Sequence, residues 1–513
     1  MFVSALLLLS DNLNTINTIN PLDFLAAILV PLLLFAMTAQ AMAPPEIPPL
    51  AVSSSSLSSC SSRSTGSTFL PLSPIPSNTR AATTSTNIHL VILIHGWLGS
   101  PAEMTAIQAA LQTQIQIMAA EDTPDTSSDT PDTQNGPINN DIQLPPDTSV
   151  LLHSVECNDG KTHDGIIMGG CRVAQEVNDI VQEILLQDGP KKISLSFIGN
   201  SLGGLYARAA LPHIQWTVNI DNNDNQQQAE TIQISPNVFC TTCTPHLGKR
   251  GLTYLPLPRF VETGIGYALQ PTGQDLFGVT TVVQDLASQA KYLTPLSHFA
   301  KRIAYANAFG TDLQVPTATA GFLADTESPH FLAPPSSEQE QDEESSSPFL
   351  LTVTTPPDDQ VVQQTMEASD IAAQQDMTYY FPATSMARTL DALGWTKVFC
   401  DVRDKLVSVP IPFNRKGKDG TDDCSSEFDT HSTKQWTSHQ LKNKLANRID
   451  YDQKWPIPIG HTMLIANSKS KLYAKLNRGG LEFVQHMAHD FLKDLLIVPT
   501  CMNMTTGKDE PSS

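Results

Sequence analysis

Residues 192–211 constrain the fold more than any other part of this chain. Lys192-Ile-Ser-Leu-Ser-Phe-Ile198 is an apolar run of strand length, Leu205-Tyr-Ala-Arg-Ala-Ala-Leu211 is helical in composition, and Gly199-Asn-Ser-Leu-Gly-Gly204 joins them directly. A strand that turns this abruptly into a helix needs almost side-chain-free neighbours two residues either side of the apex. Gly199 and Gly203 meet that demand. The pattern predicts a nucleophile elbow with Ser201 at its apex, the hydroxyl lifted clear of the backbone. The helix N-terminus under it favours negative charge developing nearby. G-x-S-x-G alone is a short pattern that an ordinary turn also satisfies; the strand before it and the helix after it favour the elbow.

The segments around the elbow alternate in the same way. Ile88-His-Leu-Val-Ile-Leu-Ile94 reads as a central strand of a parallel sheet, buried on both faces. It runs into His95-Gly-Trp-Leu-Gly-Ser100, a loop whose N–H groups can point at a developing oxyanion; the alternative is a plain strand-to-helix turn. A helix over 101–118, a strand over 149–155 and a helix over 172–187 follow. The last of these has Val173, Val177, Ile180, Val181 and Ile184 on one face. After the elbow come strands near 238, over 301–309 and over 396–402, and a closing helix over 480–496. This order predicts a doubly wound, mostly parallel α/β sheet. Helical stretches within 250–300, with Leu255, Leu257, Phe260, Leu276 and Phe277, predict either a cap over the site or peripheral helices packed on the sheet.

The chain has 513 residues and a net charge of −21, and most of the acidity sits in two stretches. Glu121 to Asp147 carries seven acids and Asp325 to Asp376 carries twelve, with no Lys or Arg in either. Both read as acidic insertions, the second as disordered, and the charge speaks against a nucleic-acid partner. A third insertion is polar, at 221–229. Eight cysteines are too few for a disulfide-built scaffold. Cys240-Thr-Thr-Cys243 has no second pair at zinc spacing and reads as packing, while Cys157 and Cys171 are the expected disulfide in an oxidising compartment. The apolar run from Phe24 to Met37, followed by Ala39-Gln-Ala41, predicts a targeting signal or membrane anchor over 1–43, although a basic n-region is missing. The expected location is secretory, endomembrane or organellar, plastid included. Residues 44–86, rich in Ser and Pro, read as a disordered linker, 87–497 as the folded domain and 498–513 as a tail.

A serine nucleophile needs a base, and the base needs a carboxylate that fixes its tautomer. In a sheet of this kind they follow in the order Ser, Asp, His on loops at the C-terminal sheet edge. Asp312, in Gly310-Thr-Asp-Leu-Gln-Val-Pro316, and His461, in Trp455-Pro-Ile-Pro-Ile-Gly-His461, fit. Asp325 and Asp401 compete for the acid, and His439, His486 and His489 for the base. The N–H groups of Trp97 and Leu202 are the candidate oxyanion donors.

From about 88 to 495 the chain resembles the serine esterases and lipases of the DUF676 type, a family with yeast, plant and algal members. The resemblance is carried by His95-Gly-Trp-Leu-Gly99, Thr162-His-Asp-Gly-Ile166 with Gly169-Gly170, and Gly199-Asn-Ser-Leu-Gly-Gly-Leu205. Thr244-Pro-His-Leu-Gly248, Thr272-Gly-Gln-Asp-Leu-Phe277, Tyr305-Ala-Asn307 with Asp312, Val315-Pro316 and Gly460-His461 extend it. It implies an α/β-hydrolase fold and a triad of Ser201, Asp312 and His461. The activity it implies is hydrolysis of acyl esters, lipids in particular, without metal or organic cofactor. A lipid or acyl-ester substrate and a membrane surface are the expected partners. The chain departs from the family at Asn200, where His is commoner, and in the long insertion between Asp312 and His461. A thioesterase or acyltransferase on the same triad, or a catalytically silent binding protein, are the rival readings.

Overall fold

A computed structural model describes residues 87–120, 144–145, 147–186, 192–220, 230–254, 257–333, 349–375, 381–410, 435–446 and 454–497. The expected targeting segment, the linker, the insertion at 221–229, most of 121–147 and the tail lie outside the described residues. Among the described residues twelve strands are placed: β1 Asn87–Ile94, β2 Thr148–Ser154, β3 Lys192–Asn200, β4 Thr217–Ile220, β5 Glu230–Thr242, β6 Lys301–Asn307, β7 Pro329–Leu332, β8 Phe349–Thr354, β9 Thr396–Cys400, β10 Ser408–Pro410, β11 Gln435–Thr437 and β12 Lys454–Pro456.

Ten of them form one sheet in the order β11-β7-β8-β9-β6-β5-β3-β1-β2, with β4 antiparallel on β5. The six strands β2, β1, β3, β5, β6 and β9 run parallel. The chain moves from β1 to β2 on one side and returns to β3 on the other, so the order reverses between β1 and β3. The crevice at the C-terminal ends of those two strands is where ligands bind in such sheets. Both expected site loops leave the sheet there, the Gly96–Gly99 loop after β1 and the elbow after β3. This is the α/β-hydrolase fold.

Helices cover both faces, because parallel strands need crossovers that bury them on either side. One face carries α1 Thr105–Ala120 and the closing helix at 481–497, with Val91, Leu93, Ile107, Leu111, Phe483, Met487 and Phe491 at their contact. The other carries α2 Ile166–Leu186 and α3 Leu202–Ala210, packed with Leu90, Ile92, Phe197 and Phe239. The turn before α1 is a 3-10 helix, Pro101–Met104, and α2 begins at Ile166, earlier than its periodicity suggests. Between β5 and β6 lie short helices that include α4 Arg259–Ala268 and α5 Gln270–Leu276. Leu276, Phe277, Leu286, Leu293 and Leu296 join the core from this region, whereas Phe260 and Tyr267 on α4 are 77% and 60% exposed.

Two expectations are corrected. The acidic block at 325–376 is not wholly without structure, since it contributes β7, β8 and the helix α6 Asp359–Gln374. β8 continues the sheet antiparallel from β9, and β11 joins it later in the chain, so residues 396–400 are not its last strand; Leu351 and Val353 alternate inward as a half-buried strand requires. β7 is held from inside. His330 lies 2.9 Å from the Lys397 ammonium on β9, which pairs with Asp391 at 2.6 Å. Burial and then the Lys397 charge push His330 down to about 2, so its neutral ring accepts from the lysine. The second correction is that no disulfide joins Cys157 to Cys171. Cys157 sits against Glu176, and burial followed by that carboxylate pushes its thiol well up, opposite to what disulfide exchange needs.

Candidate active site

Ser201 occupies the apex between β3 and α3 with φ 53° and ψ −122°, a backbone conformation that non-glycine residues rarely adopt. Its neighbours show why the sequence tolerates only glycine beside it. A Cβ on Gly199 would lie 2.6 Å from the Gly204 backbone, and one on Gly203 2.2 Å from the Ile94 carbonyl oxygen. The Ser201 N–H donates to the Thr242 carbonyl at 2.8 Å, which anchors the apex to the end of β5.

The loop after β1 abuts the serine. A Cβ on Gly96 would stand 2.8 Å from Ser201 Cβ and 3.4 Å from its Oγ. The loop folds back on itself through Gly99 N–H to the Gly96 carbonyl, 3.1 Å, with Leu98 at φ 55°. Gly96 N–H donates to Glu103 Oε2 at 2.9 Å, and Leu98 N–H donates to Thr162 Oγ1 at 3.0 Å. With both flanking amides committed, Trp97 N–H has no partner among the described residues, and neither has Leu202 N–H at the start of α3. Trp97 itself is braced by His163, with the rings edge-on at 5.5 Å and its Nε1 donating to Nδ1 at 3.4 Å.

Asp312 and His461, 149 residues apart, meet with His461 Nδ1 donating to Asp312 Oδ2 at 2.9 Å, both buried. Backbone pairing brings them together. Gly460 N–H donates to the Thr311 carbonyl at 2.8 Å, Leu313 N–H to the Pro458 carbonyl at 3.0 Å, and Asp312 and Ile459 form an isolated antiparallel bridge. Asp312 Oδ1 accepts the N–H groups of Gln314 and Val315, both at 2.8 Å, and Oδ2 also accepts Asn307 Nδ2 at 3.3 Å. The Ser201 hydroxyl makes no hydrogen bond among the described residues, so the Ser201–His461 leg is not closed as it stands. Such bonds commonly tighten only when substrate is bound. The amide loop and the elbow leave the C-terminal ends of β1 and β3, and the Asp–His pair lies beyond the C-terminal end of β6.

Over residues 137–325 the chain matches the family described as "Putative serine esterase (DUF676)". The DUF676 match takes in Ser201, Leu202 and Asp312 and stops short of Trp97 and His461. No curated protein matches the chain. Among solved structures it is similar to phospholipase PlaB from Legionella pneumophila in complex with thio-NAD, at 14% identity and a TM-score of 0.25, covering 47% of this chain and 42% of that one. A second structure of the same phospholipase gives 13% identity and a TM-score of 0.25. The lin2722 gene product from Listeria innocua gives 10% and 0.20, covering 45% of this chain and 75% of that one. The chain thus spans less than half the length of phospholipase PlaB.

The rival acids and bases are engaged elsewhere. Asp325 accepts from Ser328 Oγ at 2.8 Å, Asp401 pairs with Arg403, and His439 bonds Asn443 on an exposed turn. His486 lies on the closing helix against Phe349, and His489 lies on the same helix. The Thr244-Pro-His-Leu-Gly248 stretch of the DUF676 resemblance supports the site from below. Buried His246 bonds Thr241 Oγ1 at 3.0 Å and lies edge-on to Phe322 and Trp395, and Thr244 fills the space against Gly204. Cys243, Asp312 and His461 offer donor atoms within 4.8 Å of one another, which is metal-triad spacing. Burial, then the Asp312 charge, pushes the Cys243 thiol well up, so a neutral thiol packs beside a hydrogen-bonded Asp–His pair.

Two contributors escaped sequence reasoning. Thr162 ties the amide loop to α3 and α5: its carbonyl accepts Tyr206 Oη at 3.1 Å and Thr272 Oγ1 at 2.8 Å. Only its place in Thr162-His-Asp-Gly165 hinted at a role. Glu103, buried under the Gly96–Gly99 turn, gave no signal, since an acid in a first helical turn is commonplace.

Proposed function

We propose that this protein is a serine hydrolase that cleaves acyl esters of lipids through Ser201, His461 and Asp312. Ser201 Oγ attacks the ester carbonyl carbon as its proton passes to His461 Nε2, and Asp312 holds the Nδ1 proton and stabilises the imidazolium. The oxyanion accepts from the N–H groups of Trp97 and Leu202. The tetrahedral adduct collapses, the alcohol leaves with the proton from His461, and an acyl-serine remains. Water, deprotonated by the same histidine, attacks that ester and releases the carboxylic acid and the free serine.

The observation that carries this reading is the 2.9 Å Asp312–His461 hydrogen bond at the same sheet edge as the strained Ser201 turn. The choice of lipid esters rests on the resemblance to the DUF676-type esterases and lipases, whose family description matches residues 137–325. The experiment is covalent labelling with a fluorophosphonate, with the adduct mapped by mass spectrometry, followed by a panel of glyceride, phospholipid and thioester substrates. A modified Ser201 and acid release from oxygen esters are expected. Preference for an added alcohol over water would make the protein an acyltransferase, and an unlabelled Ser201 would leave a binding protein on a hydrolase fold.

A further inference from the structure

We infer that Glu103 is the positioning residue that sets the oxyanion site and registers it against both nucleophile and base; this rests on the serine-hydrolase reading. Its carboxylate lies where three separate segments meet. Oε2 accepts Gly96 N–H at 2.9 Å from the loop that abuts Ser201. Oε1 accepts Asn200 Nδ2 at 3.2 Å, from the residue immediately before the nucleophile, and Asn467 Nδ2 at 3.3 Å. Asn467 belongs to the base side of the site, because its N–H donates to the carbonyl of Thr462, the residue after His461. One acceptor-only group therefore joins the loop after β1, the elbow and the loop after His461.

The donor–acceptor pattern requires a carboxylate. Two of the donors cannot reverse their roles: Gly96 N–H is a backbone amide, and Asn467 cannot turn its amide over because its Oδ1 accepts Lys469 N–H at 3.1 Å; Asn200 Oδ1 accepts Thr242 Oγ1 at 2.9 Å. Three donors thus converge, and only an ionised carboxylate accepts from all of them without presenting a hydrogen of its own. Gly96 N–H belongs to the peptide directly before the one that carries Trp97 N–H, so the bond to Oε2 fixes one side of Gly96 while Gly99 N–H on the Gly96 carbonyl holds the plane of the candidate oxyanion donor. Gly99 is a consequence of the same packing. A Cβ there would lie 2.1 Å from Glu103 Oε2. The chain's departure from the family at residue 200 has its partner here, for an Asn at that position donates to Glu103 while accepting from Thr242.

Glu103→Gln keeps the volume and puts an NH2 against at least one of the three donors. The test compares full-length wild type, Glu103→Gln and Gly99→Ala, which pushes the carboxylate from the loop side should Glu103→Gln not fold. Active sites are counted by fluorophosphonate titration, and turnover of a water-soluble p-nitrophenyl ester is expressed per titrated site. The expected result is a kcat per site lower by roughly 10- to 100-fold, with KM within about twofold. Inhibition by a trifluoromethyl ketone, which mimics the oxyanion adduct, weakens in the same proportion. A purely structural role would lower the melting temperature or the number of titratable sites and leave turnover per site alone. Turnover per site within about threefold of wild type in the folded variants overturns the role of Glu103 alone. A wild type that does not label at Ser201 overturns the hydrolase reading on which it rests.

Discussion

Replacing Asp312 by Asn tests the acid in a way the geometry makes quantitative. From the sequence, the aspartate reads either as partner of the histidine or as a cap on the turn after β6. It is both, by different oxygens: Oδ1 accepts Gln314 and Val315 N–H, and Oδ2 accepts His461 Nδ1 and Asn307 Nδ2. In the Asn variant the single carbonyl oxygen stays with the two backbone donors, which are fixed and only 2.8 Å away. The NH2 then faces His461 Nδ1 and donates to it. The ring proton moves to Nε2, which leaves that nitrogen no lone pair with which to take the Ser201 proton.

A wrong tautomer in such a triad costs about 10⁴ in kcat, or roughly 5.5 kcal/mol of barrier. Folding should suffer much less, because one bond from Asn307 is lost and the turn cap survives, about 1 kcal/mol. Hydrolysis of a p-nitrophenyl ester per titrated site, beside a thermal melt, separates the two numbers. A kcat within tenfold of wild type, together with a large loss in Asp325→Asn or Asp401→Asn, would refute the reasoning and move the acid.

Ser201→Ala should lose on the order of 10⁴ to 10⁶ in kcat and all fluorophosphonate labelling, with unchanged circular dichroism; residual labelling would expose another nucleophile. Glu176 is buried, which alone would raise its pKa, but hydrogen bonds from His153, the Cys157 thiol and the N–H groups of 156 and 157 hold it down to about 2 against an ordinary 4.5. A depressed carboxylate stabilises above its unfolded pKa and loses that contribution as pH falls toward its folded one, so Glu176→Gln should cost about 3 kcal/mol in urea unfolding at pH 7 and about half that or less at pH 3. An equal cost at both pH values would contradict the linkage. Deleting residues 327–375 should abolish soluble monomer on size exclusion, since it strips β8 from β9 and His330 from Lys397; a soluble, active deletion would show that the block is dispensable.

What the sequence disclosed follows the range over which each physical constraint acts. The elbow is a local device: strand, apex and helix lie within twenty residues, and the steric reason for Gly199 and Gly203 is written beside Ser201. The order of β1, α1, β2, α2 and β3 was legible for the same reason, as periodicity is a property of neighbours. Asp312 and His461 were reached through chain order, but the pairing of residues 311–313 with 458–460 that unites them is a backbone contact across almost 150 positions, and no local pattern encodes it.

Over the acidic block composition misleads, because it averages over unlike parts. Twelve acids and a Ser-rich run outweigh the period-two alternation of Phe349-Leu-Leu-Thr-Val-Thr354, which by itself predicts a strand with Leu351 and Val353 inward, as found. Asp358, counted there as one more charge, caps α6 by accepting the N–H groups of Gln360 and Val361. Glu103 is the complementary case. Its neighbours in sequence offer no reason to bury it, and its partners at 96, 200 and 467 come together only once the sheet has formed. Buried carboxylates of this kind are costly unless every lone-pair direction finds a donor. Relatives of this chain that carry histidine in place of Asn200 are therefore expected to differ at residue 103 or 467 as well, and a histidine there beside an unchanged Glu103 and Asn467 would argue against the coupling.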